Sequence, residues 1–296
     1  MKNLFITCAT LLTLIVMFST GCSAIFHTSG SSQIADKTYD FNDFTNINIS
    51  SAFQYQITQS DTYSVIVTTN ESMFAHLDIH QSGNTLYIGM KPFLFNNSNP
   101  KVTITLPQLS KISISGDCQG STTGFVTKND LEINLSGASR MDVDFEAGST
   151  KMDVSGDSNI TGDLTSTDIL VGLSGASHLN MTLTTGKTNI NASGDSDVRG
   201  SLNAGDCQIT LEGASTCELT GSAGNSVISA GGDSNFNSPE LTLQSADVKL
   251  TGASRATFRT DGTMNVDING DSTLNYYGNP SFGKIAISGD SRLNHK

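Results

Sequence analysis

Apolar and polar residues alternate along most of this chain in short bursts with a period of two. This is the pattern of strands with one buried face. Before residue 110 the bursts are irregular: Ile47 to Ile49, Phe53 to Ile57, Tyr63 to Val67, Leu86 to Ile88 and Val102 to Leu106. Asp61 and Gly83-Asn84 mark turns between them. A helical period shows only weakly, around Glu71 to Leu77. From Lys111 the alternation becomes strictly repetitive. Gly-Asp/Ala-Ser recurs at Gly116, Gly137, Gly156, Gly175, Gly194, Gly213, Gly232, Gly252, Gly270 and Gly289, about every nineteen residues. Four and two residues before each glycine stand apolar residues, such as Ile190 and Ala192 or Ile209 and Leu211. Four residues after it stands another in every repeat but the first, where Gly120 interrupts the column. A fixed period of this size marks a repeat array.

A nineteen-residue unit cannot bury its apolar face alone, so the repeats must stack. The expectation is all-β: a parallel, right-handed β-solenoid of ~19-residue repeats preceded by an irregular β region. Segments are read as 1–21, 22–35, 36–110 and 111–296: signal peptide, flexible tether, irregular β cap and solenoid. The serine of each motif shares the phase of the buried positions and so does the glycine, while the Asp or Ala between them points outward. Stacking predicts an internal row of serines with Cys118 at its first rung. The middle residue alternates from Asp117 through Ala138 to Asp271, and Asp290 breaks the series. Alternation keeps like charges from stacking at ~4.8 Å. Six residues past the glycine a second alternation appears, large in Ala repeats (Val143, Met181, Leu219, Phe258) and small in Asp repeats (Gly162, Gly200, Ser238). It also fits a 38-residue coil with two unlike sides. The single-repeat coil is the preferred reading.

The N-terminus reads as an export signal. Lys2 precedes an apolar run from Leu11 to Phe18, too short to span a bilayer, and Ser19-Thr20-Gly21-Cys22 follows. Small residues before a cysteine resemble a bacterial lipobox, which implies lipidation of Cys22 and a membrane partner through that anchor. Cys118, Cys207 and Cys217 then remain, an odd number at inward positions, and they read as small buried hydrophobes rather than a disulfide framework. The net charge of −12 argues against nucleic acid as a partner.

These motifs also resemble a known family. Phe44, Ile47 and Ile49, then Phe53 to Ile57, then Lys101 to Leu109 leading into Ile112 to Asp117 and the Gly-Asp/Ala-Ser series, resemble bacterial envelope proteins of the "putative auto-transporter adhesin, head GIN domain" family. The resemblance covers about residues 40–296. It implies an all-β, solenoid-like fold, export and a binding head. An autotransporter carries a translocating barrel after its passenger. The sequence given runs only to Lys296, so self-export is not expected.

Candidate sites are few. The outward Asp157, Asp195, Asp233 and Asp271 form a row, with Asp117 and Asp290 at its ends. It reads either as a strip for calcium or a cationic ligand or, by preference, as solvated turn residues. Phe93 and Phe95, in the loop from Lys91 to Pro100, are candidates for touching a glycan or a protein, or for capping the solenoid. His76 and His80 have a metal-like spacing only on a helix, and no third ligand accompanies them. Tyr276, Tyr277 and Phe282 are candidates to cover the C-terminal coil. If that coil is open, it invites end-to-end pairing of copies. A G-x-S nucleophile elbow requires G-x-S-x-G on a strand-to-helix turn, which these motifs lack. Arg140, Arg199, Arg255, Arg259 and Arg292 are scattered. The expected function is therefore a non-catalytic envelope lipoprotein of the outer membrane, an adhesin-like binding or scaffold module with no cofactor or metal. The alternative is a carbohydrate-active enzyme, a polysaccharide lyase or hydrolase on a β-helix.

Overall fold

The computed structural model describes residues 33–92 and 100–296. The signal segment, Cys22, Phe93 and Phe95 lie outside the described residues, as does most of the tether; its last residues, Ile34 and Ala35, already belong to a strand.

The chain begins with β1 (Ile34–Tyr39), β2 (Asn46–Ile49), β3 (Gln54–Gln59) and β4 (Ser64–Asn70). A short 3-10 helix (Glu71–His76) follows, where the weak helical signal lay. Next come β5 (Leu77–Ser82), β6 (Thr85–Met90), β7 (Lys101–Leu106), β8 (Lys111–Ile114), β9 (Gln119–Val126) and β10 (Leu131–Leu135). Six long strands form the body: β11 (Arg140–Val154), β12 (Asn159–Leu173), β13 (His178–Ala192), β14 (Asp197–Leu211), β15 (Thr216–Ala230) and β16 (Asn235–Leu250). The chain closes with β17 (Arg255–Thr260), β18 (Thr263–Ile268), β19 (Thr273–Tyr277), β20 (Ser281–Ile287) and β21 (Arg292–His295).

Long strands pair in parallel at a shift of nineteen residues, as Met141 with Ile160, Leu179 with Val198 and Ile190 with Ile209. One coil is therefore one repeat. Each coil has two corners. The first is the motif. The second lies near Gly148, Thr167, Gly186 and Gly205, where two consecutive residues face outward and the burial phase slips by one. The runs after each motif stack into a first wall, and the runs before it into a second. Their inner side chains share one continuous core.

The second alternation is a packing device. Val143, Gly162, Met181, Gly200 and Leu219 stand in one ladder column. Each large side chain lies beside a glycine in the next coil, so volume is conserved over pairs of coils. Gly120 follows the same logic: a Cβ there would meet the Tyr55 ring at 2.6 Å, and Tyr55 Oη reaches past it to donate to the Arg140 carbonyl at 3.2 Å.

The motif builds a corner. Gly213 has φ +78, and a Cβ on it would sit 2.7 Å from the Gly194 carbonyl oxygen of the preceding coil. Motif glycines are exposed rather than inward. Phase alone placed them inside, but the positive φ turns the chain at that residue. The serines from Ser139 to Ser272 are buried as expected, with Ser139, Ser158, Ser177 and Ser215 fully enclosed, and Ser291 in the last coil is partly exposed. Their hydroxyls mostly bond to backbone rather than to each other. Ser177 Oγ donates to the Ser174 carbonyl at 2.7 Å and Ser215 Oγ to that of Glu212 at 2.8 Å. Cys118 Sγ reaches the Ser115 carbonyl in the same way at 3.3 Å. Only Ser254 and Ser272 bring hydroxyls together, at 3.4 Å.

The middle residues are exposed and stack directly, because Asp195 N–H bonds to Gly175 O, Ala214 N–H to Gly194 O and Asp233 N–H to Gly213 O, each at 2.8 Å. Ala214→Asp would set three carboxylates in adjacent coils. Each new like-charged pair costs about 0.5 kcal/mol. The expected result is a melting temperature lower by a few degrees at low ionic strength and largely restored by added salt. A melting curve insensitive to salt contradicts this.

The solenoid extends below residue 111. β2 and β3 pair in parallel with β8 and β9, and β6 and β7 pair in parallel with β2 and β3. Ser51-Ala52-Phe53 occupies the motif corner: Ser51 has φ 85, Asp117 N–H bonds to its carbonyl at 2.7 Å, and Phe53 takes the buried serine place. The chain thus lays down the β2–β3 coil, leaves to build the cap, and returns to place β6–β7 on one side of that coil and β8–β9 on the other. The cap is antiparallel: β4 covers β7, β1 covers β4, and β5 covers β6.

Candidate functional site

Among the described residues, no three His, Cys, Asp or Glu side chains are grouped so as to hold a metal ion. The Asp157, Asp195, Asp233 and Asp271 side chains are exposed at separate corners of alternate coils. His76 ends the 3-10 helix, whereas His80 lies on β5, with Nδ1 3.1 Å from Asp78 Oδ1 and its ring stacked on Tyr87 at 5.1 Å. The three cysteines are buried and free. Burial raises the thiol pKa of all three, and that of Cys207 to about 12. Such thiols are inert packing groups.

The outer faces of the two walls differ. Polar groups pair with one another outside both walls, as Asn265 Nδ2 does with Asp247 on the second and several do on the first. Arg199 pairs with Asp197 and, through Nε, with Glu218 at 3.2 Å. Thr161 Oγ1 donates to Asp142 at 3.1 Å and Asn294 Nδ2 to Asn275 at 3.1 Å. Two hollows, of about 450 and 170 Å³, lie near its N-terminal end around Gln119 and Gly120.

Outside the second wall lie three hollows, two side by side over the same coils and one further along the rod. The first, about 620 Å³, lies over β10 to β13 and includes Leu131, Glu132, Lys151, Ile169, Leu170, Lys187 and Asn189. The second, about 410 Å³, occupies the next columns of the same coils, with Asp153, Gly172, Ser174, Asn191 and Ser193. The third, about 250 Å³, lies further on, around Val227, Lys249 and Lys284. Leu170 and Val227 stand at outward positions yet are large and apolar, 40 % and 42 % exposed. Charged groups flank them. Lys111 Nζ lies 3.0 Å from Glu132, and Lys151 Nζ lies 2.6 Å from Asp153. Hydrogen bonds from Asn134 and then Lys111 hold the Glu132 carboxyl below its ordinary range. The Asp153 carboxylate holds the Lys151 ammonium above its own. This is a trough with a small-residue floor of glycine and serine, an aliphatic side and ordered charges. It suits contact with an extended ligand. The motif series drew attention to the corners, whereas the signal for the trough was Leu170 and Val227, apolar where the alternation demands polar.

The fold is that of an all-β solenoid repeat protein. Residues 43–182 and 165–280 match the family described as "Putative auto-transporter adhesin, head GIN domain". The chain belongs to that family. It is similar in fold to solved structures named as putative adhesins from Bacteroides fragilis (16 % identity, 90 % of this chain and 99 % of that one, TM-score 0.53), Parabacteroides distasonis (15 %, 90 % and 98 %, 0.53) and Parabacteroides merdae (16 %, 90 % and 98 %, 0.52). No curated protein matches.

Proposed function

We propose that this chain is a non-catalytic, adhesin-like binding module of the cell envelope, held at the outer membrane by lipid on Cys22. It engages an extended glycan or protein ligand along the outer face of the second wall. The observation that carries this reading is the group of hollows on one face, bounded by Leu170, Val227 and fixed charges. Membership of an adhesin family supports it. Recognition spread over many coils is what repeat arrays provide. A polysaccharide lyase or hydrolase needs opposed free groups converging on one bond, whereas Glu132 and Asp153 beside the trough are held in ion pairs with Lys111 and Lys151.

The test is to screen the exported chain on glycan and envelope-protein arrays alongside assays for polysaccharide breakdown. Saturable binding without turnover is expected. Release of shortened product from any polymer would sink the proposal. For the anchor, Cys22→Ala is expected to abolish labelled-palmitate incorporation and release the chain from membranes. A variant still membrane-bound contradicts the anchor.

A further inference from the structure

The two ends of the rod are finished differently. At the N-terminal end, antiparallel β1, β4 and β5 cover the first coils, and the edge strands carry Asp36, Lys37, Asp78 and His80. At the C-terminal end, β20 pairs only with β18 and β21 only with β19. Among the described residues nothing lies on their far sides. The core columns emerge there uncovered. Met264, Val266 and Ile268 are at most 1 % exposed, but their counterparts one coil on, Phe282, Ile285 and Ile287, are 39 %, 49 % and 46 % exposed. Tyr276 stacks on His295 at 4.9 Å and meets Phe282 edge-on at 5.6 Å, and Tyr277 lies under Arg259. These contacts run along the rod and leave Phe282, Ile285 and Ile287 part-exposed at its end.

We infer that this end is an interface with a second copy of the chain, joined C-terminal end to C-terminal end about a two-fold axis. Three arguments select that occupant. The first is pairing geometry: a two-fold axis perpendicular to the rod sets each free edge antiparallel to its symmetry mate, and antiparallel strands continue a hydrogen-bonded ladder. The second is chemistry. The inward column of the open end is apolar and matches itself, whereas head-to-tail stacking would set Lys37, which stands opposite buried Val67, against Phe282, Ile285 and Ile287, and an unpaired buried charge is costly. The third is area. A run of about seven residues at ~3.3 Å, on two walls ~10 Å apart with their side chains, presents on the order of 500 Å². A pair then buries about 1,000 Å², the lower bound for a specific interface. The contact is isologous, so assembly closes at two copies and does not propagate into a fibre.

The test is sedimentation velocity on the full chain in mild detergent over a range of concentrations, with single cysteines for cross-linking. A monomer–dimer equilibrium is expected, with Ala286→Cys on β20 oxidising to a covalent dimer and Thr38→Cys on β1 giving none. Ile285→Lys puts an inward charge at the open end and is expected to weaken dimerisation at least tenfold. Ile287→Lys serves as the second variant if the first melts abnormally. The inference is overturned by a chain monomeric up to ~200 µM, by a dimer indifferent to both lysines, or by cross-links appearing only when the Ala286→Cys and Thr38→Cys chains are mixed.

Discussion

Gly200→Ala is expected to cost at least about 3–4 kcal/mol and to melt the central coils, although it adds one methyl group. Gly200 has φ +126, and its Cβ would lie 2.0 Å from the Met181 carbonyl oxygen and 2.8 Å from the carbonyl carbon. Backbone cannot yield as a flexible side chain does, so the ladder between β13 and β14 must open. Gly83→Ala is the control. It too has positive φ, at +58, but nothing lies within 4 Å, and the cost should be only the left-handed strain of about 1 kcal/mol. Denaturant melts of the two variants separate close backbone approach from conformational freedom. Equal losses would show that Gly200 is needed for its φ alone. Repeat arrays also unfold in segments, so Gly200→Ala is expected to broaden the transition as well as lower it.

The second large effect is expected at Phe236. It is fully buried on β16, meets Phe258 edge-on at 6.4 Å, and stands in register between Cys217 and Ala256. Those two neighbours are small and cannot collapse into the space it leaves. Phe236→Ala should therefore lose about 3–5 kcal/mol as a cavity is created. Phe282→Ala, at the open end, should cost no more than about 1 kcal/mol. Calorimetry on both variants checks this, and a small loss at Phe236 would mean that the rod relaxes between coils.

Much of this architecture is legible in the sequence. The motif spacing, the apolar columns at minus four and minus two, and the inward serines all follow from period-two alternation, and the parallel registers agree with them. What alternation does not give is the second corner. Nineteen is odd, so a coil with one face inward must slip phase once, and the slip falls near Gly148, Thr167 and Gly186. Glycine recurs at that corner, as Gly148, Gly186, Gly205 and Gly224, but Thr167 interrupts the column and the neighbouring residues vary, so the signal is weaker than that of the Gly-Asp/Ala-Ser motif. The glycines escaped for a related reason: phase assigns them inward, but a positive φ is a property of the turn. The early coils were illegible because Ser51 replaces the glycine and Phe53 the serine, and because the chain leaves the β2–β3 coil to build the cap before resuming the stack at β8. The trough was legible in principle through Leu170 and Val227, two exceptions in an otherwise polar outward column.

The account holds that the Gly-Asp/Ala-Ser series builds the rod and that ligand contact lies on the second wall. The most direct test is quantitative binding of array-identified ligand to two folded variants, one carrying Leu170→Asp with Lys151→Glu, the other carrying Asp157→Asn, Asp195→Asn and Asp233→Asn. Loss of binding at least tenfold in the first and unchanged binding in the second is the predicted result. Binding that survives in the first and vanishes in the second would contradict the account and return function to the acidic row.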